Sequence, residues 1–404
     1  MGQQNVGVRW GNVMPFSYVV LGAGHQGLAL AYDLAKNCEA GLVRLADVSS
    51  AQLDNALARL QAMLPATPCR FEPQICDVSK PAEVAHAMRG ADVVISAAPY
   101  RFNAKLTEAA IATEASFCDL GGNTGVVRQQ LAQHAAADGS GVSVVPDCGL
   151  APGLGNILAA HGVRQMDAPR DVHVRCGGLP EHPVGPLGYK LVFNFDGLVN
   201  EYSGHGEFLR DGRRVQVPAL TELEQIEFAP PVGKCEAAVT SGGTSTCPDS
   251  FAGHLQTYDY KTVRYPGHFA VMRAMFELGL FDADVKLRDG QLISPKPLLR
   301  QLMEDRLQFP KIRDLVVLRC TVTGEHHGKP RTIQYDLFDR HDEQTGFTAM
   351  ERTTAFPTSL VAYMQARRLI APGARPLEFC LPTEQYMAEL ARHDIRVTVK
   401  EIAA

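Results

Sequence analysis

The 404-residue chain has a single tryptophan, no C-x-x-C pair, no H-E-x-x-H and no internal repeat. No run approaches the roughly 18 apolar residues that a membrane-spanning helix needs. Neither sign of charge gathers into a long block, and 39 Lys+Arg stand against 44 Asp+Glu for a formal net charge of −5. These absences argue against a bilayer span, a nucleic-acid backbone or an anionic membrane surface as partner. Ten cysteines are present, but Cys38, Cys69, Cys76, Cys118 and Cys320 lie in or beside apolar segments and read as reduced core residues of a cytoplasmic protein. No metal is expected: Cys235, Cys247 and His254 are irregularly spaced, and His326 and His327 in "TGEHHGKPR" read as a solvated hairpin turn. Residues 1–14 lack an apolar h-region and read as a tail rather than a secretory signal. The hydrophobic content, 46%, is enough for a large core divided between two domains.

What is present begins with "SYVVLGAGHQGLALAYDLAK". A short β-branched and aromatic run precedes the glycines, and Leu28, Leu30, Ala31 and Leu34 follow at helical spacing. Gly22, Gly24 and Gly27 therefore fit G-x-G-x-x-G at a strand-to-helix turn. The first glycine allows the turn, the second the approach of a pyrophosphate, and the third close packing of helix on strand. Ala23, His25 and Gln26 complete this cofactor loop, whose phosphates would face the helix N-terminus. The next strand, "LVRLADVS", ends in Asp47 at the spacing of a ribose-binding acid. A carboxylate there repels a 2′-phosphate, so NAD is favoured over NADP. Arg44 leaves room for the phosphorylated cofactor, and a helix N-cap is the structural alternative for Asp47.

Strand and helix then alternate through "CRFEPQICDVS", "ADVVISAAPY", "ASFCDLGGN" and "GVSVVPDCG". The fold class is α/β: a Rossmann-type doubly wound parallel sheet over residues 15–150, its ligand beyond the carboxyl ends of the strands. That places Ala97, Ala98, Pro99, Tyr100, Gly121, Gly122, Asn123 and Asp147 at the cleft, with Asp77 and Val78 toward the adenine. After Gly153, alternating runs with Gly- and Pro-rich breaks predict a second α+β domain over 151–345 with a mixed or antiparallel sheet for substrate binding and oligomerisation. Within it "YKLVFNFDGLVNEYSG" reads as strand, and "FAVMRAMFELGLF" and "PKPLLRQLMEDRL" as helices. The segment 346–404 reads as helices, including "SLVAYMQARRLI", that return to the first domain.

"GAGHQG", "VPDCGLAPGLGN", "RCGGLP", "PLGYKLVFNFDGLVNEY", "YKTVRYPGH" and "TTAFPTSLVAYM" together resemble the saccharopine dehydrogenase superfamily, most of all its lysine 6-dehydrogenase branch. The resemblance implies NAD-dependent oxidation of the terminal amine of L-lysine to a semialdehyde, with ammonia and NADH released. It also implies a Rossmann domain completed by C-terminal helices, and a homodimer or larger oligomer. The family's saccharopine-forming reductases carry an aspartate in Leu-Asp-Pro-Gly and a tyrosine after the fifth strand; here Ala151 and Gly121–Gly122 stand instead. A reductive enzyme that condenses an amine with a carbonyl compound, of saccharopine or carboxynorspermidine type, is the alternative. A nonenzymatic dinucleotide sensor is a third reading.

Amine oxidation needs a base, because a primary amine with a pKa around 10.4 arrives as ammonium, and a group that activates water for iminium hydrolysis. Lys190, Tyr260, Asp147 and His268 are the candidates for proton transfer, Lys190 because burial lowers a lysine toward neutrality. Tyr258, Arg264, Tyr189, Glu201 and Cys176 are candidates for substrate contact, Arg264 because its planar fork matches a carboxylate.

Overall fold

The structure is a computed structural model that describes residues 15–191 and 195–402. The expected N-terminal tail lies outside the described residues. The first sheet takes β1 (Phe16–Leu21), β2 (Ala40–Asp47), β3 (Arg70–Ile75), β4 (Val93–Ser96), β5 (Ser116–Asp119) and β6 (Ser143–Val145). The second takes β7 (Ala168–Pro180), β8 (His205–Arg210), β9 (Arg213–Pro218), β10 (Glu224–Phe228), β11 (Gly233–Val239) and β12 (Thr257–Arg264). A small hairpin, β13 (Val285–Lys286) with β14 (Leu292–Ile293), stands apart, and β15 (Asp314–His326), β16 (Lys329–Arg340), β17 (Gly373–Ala374) and β18 (Val397–Ile402) complete the chain.

The first sheet has seven strands in the order β17-β6-β5-β4-β1-β2-β3, every neighbouring pair parallel. Its order reverses between β1 and β4, which is the topological switch point where such sheets open a ligand crevice. The second sheet runs β10-β11-β12-β7-β15-β16-β18 with β8 and β9 branching from β12. β7 is parallel to β12 and antiparallel to β15, so the sheet is mixed.

The helix Ala349–Ala366 joins the two sheets. It starts with a capping box, in which the Thr348 hydroxyl accepts the Glu351 N–H and the Glu351 carboxylate accepts the Thr348 N–H. Phe356, Leu360 and Val361 are buried in one apolar core that also takes Tyr18 and Val93 from the first sheet and Val174 and Leu318 from the second. Burial of each such side chain stabilises the fold by about 2 kcal/mol.

Two expectations are corrected. "FDGLVNEY" is the helix Phe195–Tyr202, its Leu198, Val199 and Tyr202 buried on one face; residues 192–194 of that stretch lie outside the described residues. The chain end is not all helix returning to the first domain: after the strand β17 joins β6, Val397–Ile402 pairs antiparallel with β16 and extends the second sheet. Among the described residues no helix is long and apolar enough to cross a membrane.

Candidate functional site

The glycine loop follows β1. Gly22 has φ +104°, and a Cβ there would come within 3.0 Å of the Ala97 carbonyl; a Cβ on Gly27 would overlap the carbonyl of Gly22. Both glycines are required by the turn itself. Gly24 differs: its φ is −71° and a Cβ would meet no protein atom within 4 Å. The space above it is what a pyrophosphate would occupy, and no side chain caps the helix His25–Asn37 that starts there, so its first N–H groups remain available to an anion. Asp47 closes β2 with one carboxylate oxygen accepting the Ala23 N–H at 2.7 Å and the other the Ser49 N–H at 2.9 Å. Ser49, not Asp47, caps the following helix, since its hydroxyl accepts the Gln52 N–H. The carboxylate is thus fixed beside the loop with lone pairs left for a ribose diol. Arg44 points elsewhere, bound to Glu72 at 3.2 Å and to the Ala87 carbonyl at 2.6 Å.

A cleft of about 1040 Å³ opens between the sheets. One wall is Gln26, Ala97–Tyr100 and Gly121–Gly122; the other is Cys176–Gly178 of β7, Tyr260, Thr262 and Arg264 of β12, and Glu201 from the helix Phe195–Tyr202. The period-two geometry of β12 puts Tyr260, Thr262 and Arg264 on one face. The residue Asn123 caps the helix Thr124–Leu131 through its side-chain oxygen rather than lining the cleft. Asp77 is taken up by the Ser79 hydroxyl and N–H in an exposed turn, with Val78 beside it.

Arg264 is buried, with its guanidinium 4.9 Å from the Tyr189 ring centre and 5.7 Å from that of Tyr202. Its Nε donates to the Tyr202 hydroxyl at 2.8 Å, one terminal nitrogen donates to the Val263 carbonyl, and the other lies 3.4 Å from Glu201. Glu201 also accepts the Thr262 hydroxyl at 2.6 Å. A fixed cation and a fixed carboxylate thus share one wall of the cleft.

The proton-transfer candidates do not converge. Lys190 donates its Nζ to the Ile312 carbonyl at 2.6 Å and lies outside the cleft lining, although burial does lower its pKa. His268 is buried behind Arg264. Its Nδ1 is 3.0 Å from the Leu187 carbonyl, which can only accept, so Nδ1 carries the proton and Nε2 accepts from the Tyr202 hydroxyl at 2.9 Å. Burial and the Arg264 charge push its pKa down to about 3, so it stays neutral and positions Tyr202. Tyr189 supports the Arg264 guanidinium, and Tyr258 stacks on Phe251 near Cys247; neither lines the cleft. Asp147 sits just behind Gly121, with φ +59° and the Ser245 hydroxyl as donor to its Oδ2. Burial, followed by the neighbouring Asp119 charge, raises its pKa to about 7. Tyr260 remains at the cleft, and burial raises its hydroxyl well above 10. Cys176 lines the cleft as a thiol that burial pushes up to about 12. Arg175 beside it faces the opposite side of β7, where it binds Asp259 at 2.7 Å.

Sequence reasoning missed several lining residues, among them Arg101, Asp196, Ser241, Thr262 and Lys296. Thr262 was accessible from the alternation around Tyr260 and Arg264. Asp196 and Lys296, 3.8 Å apart, come from two helices with no local signal for their meeting.

Fold and cleft define a two-domain protein whose Rossmann-type unit is built around a dinucleotide loop. Two family descriptions match: "Saccharopine dehydrogenase NADP binding domain" over residues 18–145 and "Saccharopine dehydrogenase C-terminal domain" over 149–395. The chain belongs to the saccharopine dehydrogenase family. It is 24% identical over 203 residues, 48% of its length, to the mitochondrial alpha-aminoadipic semialdehyde synthase of Rattus norvegicus, of which it covers 22%. It is 24% identical over 216 residues, 51% of its length, to the saccharopine dehydrogenase [NADP(+), L-glutamate-forming] of Schizosaccharomyces pombe, of which it covers 47%. The chain thus spans less than half of each of these curated relatives. The apo saccharopine dehydrogenase (L-Glu forming) of Saccharomyces cerevisiae shares the fold, with a TM-score of 0.77 at 19% identity over 96% of this chain and 100% of that one.

Proposed function

We propose that this chain is a nicotinamide-dinucleotide oxidoreductase acting on the C–N bond of an amino acid, with a saccharopine-type secondary amine as its substrate class. The observation that carries the reading is the cleft, where the dinucleotide loop faces a wall holding Arg264, Glu201 and Tyr260. When bound, the dinucleotide supplies the hydride acceptor. The protein's part is to hold the substrate: Arg264 offers its remaining donors to a carboxylate, and Glu201 faces the amine. In the balanced reaction a secondary amine, water and NAD(P)+ give an aldehyde, a primary amine, NAD(P)H and a proton. Tyr260, whose neutral hydroxyl lines the cleft, is the group we assign to hydrogen-bond the reacting nitrogen.

The relatives named above support this class over the lysine 6-dehydrogenase branch, and so do the cations Arg101 and Lys296, which a substrate with several carboxylates would use. Oxidation of a terminal primary amine is the second reading, favoured by Ala151 and by Gly121–Gly122, where the saccharopine-forming reductases carry acid and tyrosine. For the cofactor, the family's domain is described as NADP binding. The Asp47 carboxylate beside the loop and the occupied Arg44 guanidinium support NAD in this chain.

The test is NAD(P)H formation with purified protein, each cofactor, and a panel of saccharopine, lysine, ornithine and diamines at a pH near 9, where more amine is neutral. Activity on saccharopine with glutamate released supports the proposal. Activity on lysine with free ammonia replaces it by the second reading, and silence across the panel overturns both.

A further inference from the structure

The β15–β16 hairpin turns through His327 and Gly328, both at positive φ, +51° and +69°, between the paired residues His326 and Lys329. Such two-residue turns favour Asn-Gly, so histidine at the first position is unusual. Successive side chains on a strand face opposite ways, but the left-handed backbone at His327 brings its ring beside that of His326, with the ring centres 4.0 Å apart. Both rings turn an Nδ1 toward Asp167, which lies in the turn just before β7. The distances to its Oδ2 are 3.4 Å from His326 and 3.8 Å from His327. The carboxylate is held in place because the same Oδ2 accepts the His327 N–H at 2.7 Å. The Nδ1 of His326 is shielded from solvent and makes no hydrogen bond of acceptable geometry.

We propose that Asp167, His326 and His327 form a surface site for a divalent transition metal such as zinc, with water completing the coordination. Ligand atoms about 2.1 Å from a tetrahedral ion stand about 3.4 Å from one another, close to the spacings found here and longer than a good hydrogen bond. The three ligand atoms lie within 4.8 Å of each other, so small side-chain rotations close the set. Two imidazoles and one carboxylate suit zinc, nickel or copper rather than magnesium or calcium. The other such group among the described residues, Asp33, Cys38 and His393, has a different geometry. There His393 and Asp33 approach to 2.6 Å in a buried hydrogen bond that leaves no room for an ion between them.

The site is remote from the cleft. Val316 of β15 pairs with Gly178 at the cleft wall, and His326 lies ten residues further along the strand, about 33 Å away. A bound ion would clamp the hairpin to the turn before β7 without touching the reaction, so this inference stands or falls apart from the proposed activity.

The experiment titrates the metal-free full chain with Co2+, read by visible d–d absorption, and then displaces it with Zn2+. One ion per chain is expected, with His326→Ala, His327→Ala and Asp167→Asn each weakening binding at least tenfold. Thermal unfolding without metal should stay near wild type for the two histidine variants, whose rings are partly or largely exposed. Absence of stoichiometric binding below about 100 μM metal overturns the proposal, as does binding that survives both histidine substitutions.

Discussion

The imidazole of His25, within the glycine loop and at the start of the helix His25–Asn37, lies 2.6 Å from a carboxylate oxygen of Glu351, which also closes the capping box of the helix Ala349–Ala366. This contact joins the dinucleotide loop to the C-terminal helix. Its hydrogen bond to Glu351 raises the His25 pKa above 6.5. Stability from the pair is therefore complete below about pH 6.5 and is lost as pH rises through the raised value. Protonated His25 also adds positive charge where a pyrophosphate would bind, so dinucleotide affinity should fall across the same interval. Glu351→Gln should lower the His25 pKa in an NMR titration and move the affinity transition to lower pH.

On the proposed reading Asp47 meets the ribose diol and disfavours a 2′-phosphate, and Asp47→Ala removes that carboxylate. NAD affinity should drop about tenfold while NADP affinity holds or improves, measured by fluorescence titration with both cofactors. Equal changes for the two would contradict the ribose assignment.

Arg264→Lys retains charge but loses the fork that binds Tyr202, the Val263 carbonyl and Glu201 at once. KM for a carboxylated substrate should rise tenfold or more, with dinucleotide affinity unchanged. His268→Gln should produce a smaller KM rise through Tyr202 and leave the limbs of the pH–rate profile in place, since His268 is neutral throughout.

Asp147 has a native pKa raised to about 7, so the native state holds a proton that the unfolded chain releases near pH 4. Stability then declines as pH rises between those values. Asp147→Asn removes this dependence and should stabilise the protein relative to wild type at pH 8 by about 4 kcal/mol more than it does at pH 4, read from urea unfolding.

On the opposite face of the second sheet, Asp259 accepts from Arg175 and Arg210, each at 2.7 Å. Burial acts to raise its pKa, but the His173 hydrogen bond and the Arg175 charge hold it well below the usual carboxylate range. Asp259→Ala leaves two buried or half-buried cations without their carboxylate and should cost about 3 kcal/mol at neutral pH. The penalty should shrink as pH falls below about 4, where the wild-type advantage is itself lost.

The first sheet was legible because its signals are local: the Gly22–Gly27 turn, Asp47 at a strand end, and strands alternating with helices. The far wall of the cleft depends on long-range pairing. Lys190 sits in a motif-like stretch, yet its amine turns to Ile312, more than a hundred residues away in sequence. The helix Ala349–Ala366 begins well before Ser359, where the apolar pattern starts, because burial of Ala355, Phe356, Leu360 and Val361, together with the Thr348–Glu351 capping box, offsets the cost of about 3 kcal/mol at Pro357. The amphipathic face of Phe195–Tyr202 resembles alternation over so short a segment, which hid the helix that delivers Glu201.

The most direct measurement uses saccharopine carrying deuterium on the lysine ε-carbon, incubated with NAD+ or NADP+ and this protein, with the reduced cofactor examined by mass spectrometry. The account predicts one deuterium at the nicotinamide ring for each glutamate released. A product without deuterium, or no reduced cofactor while the dinucleotide still binds, would contradict it.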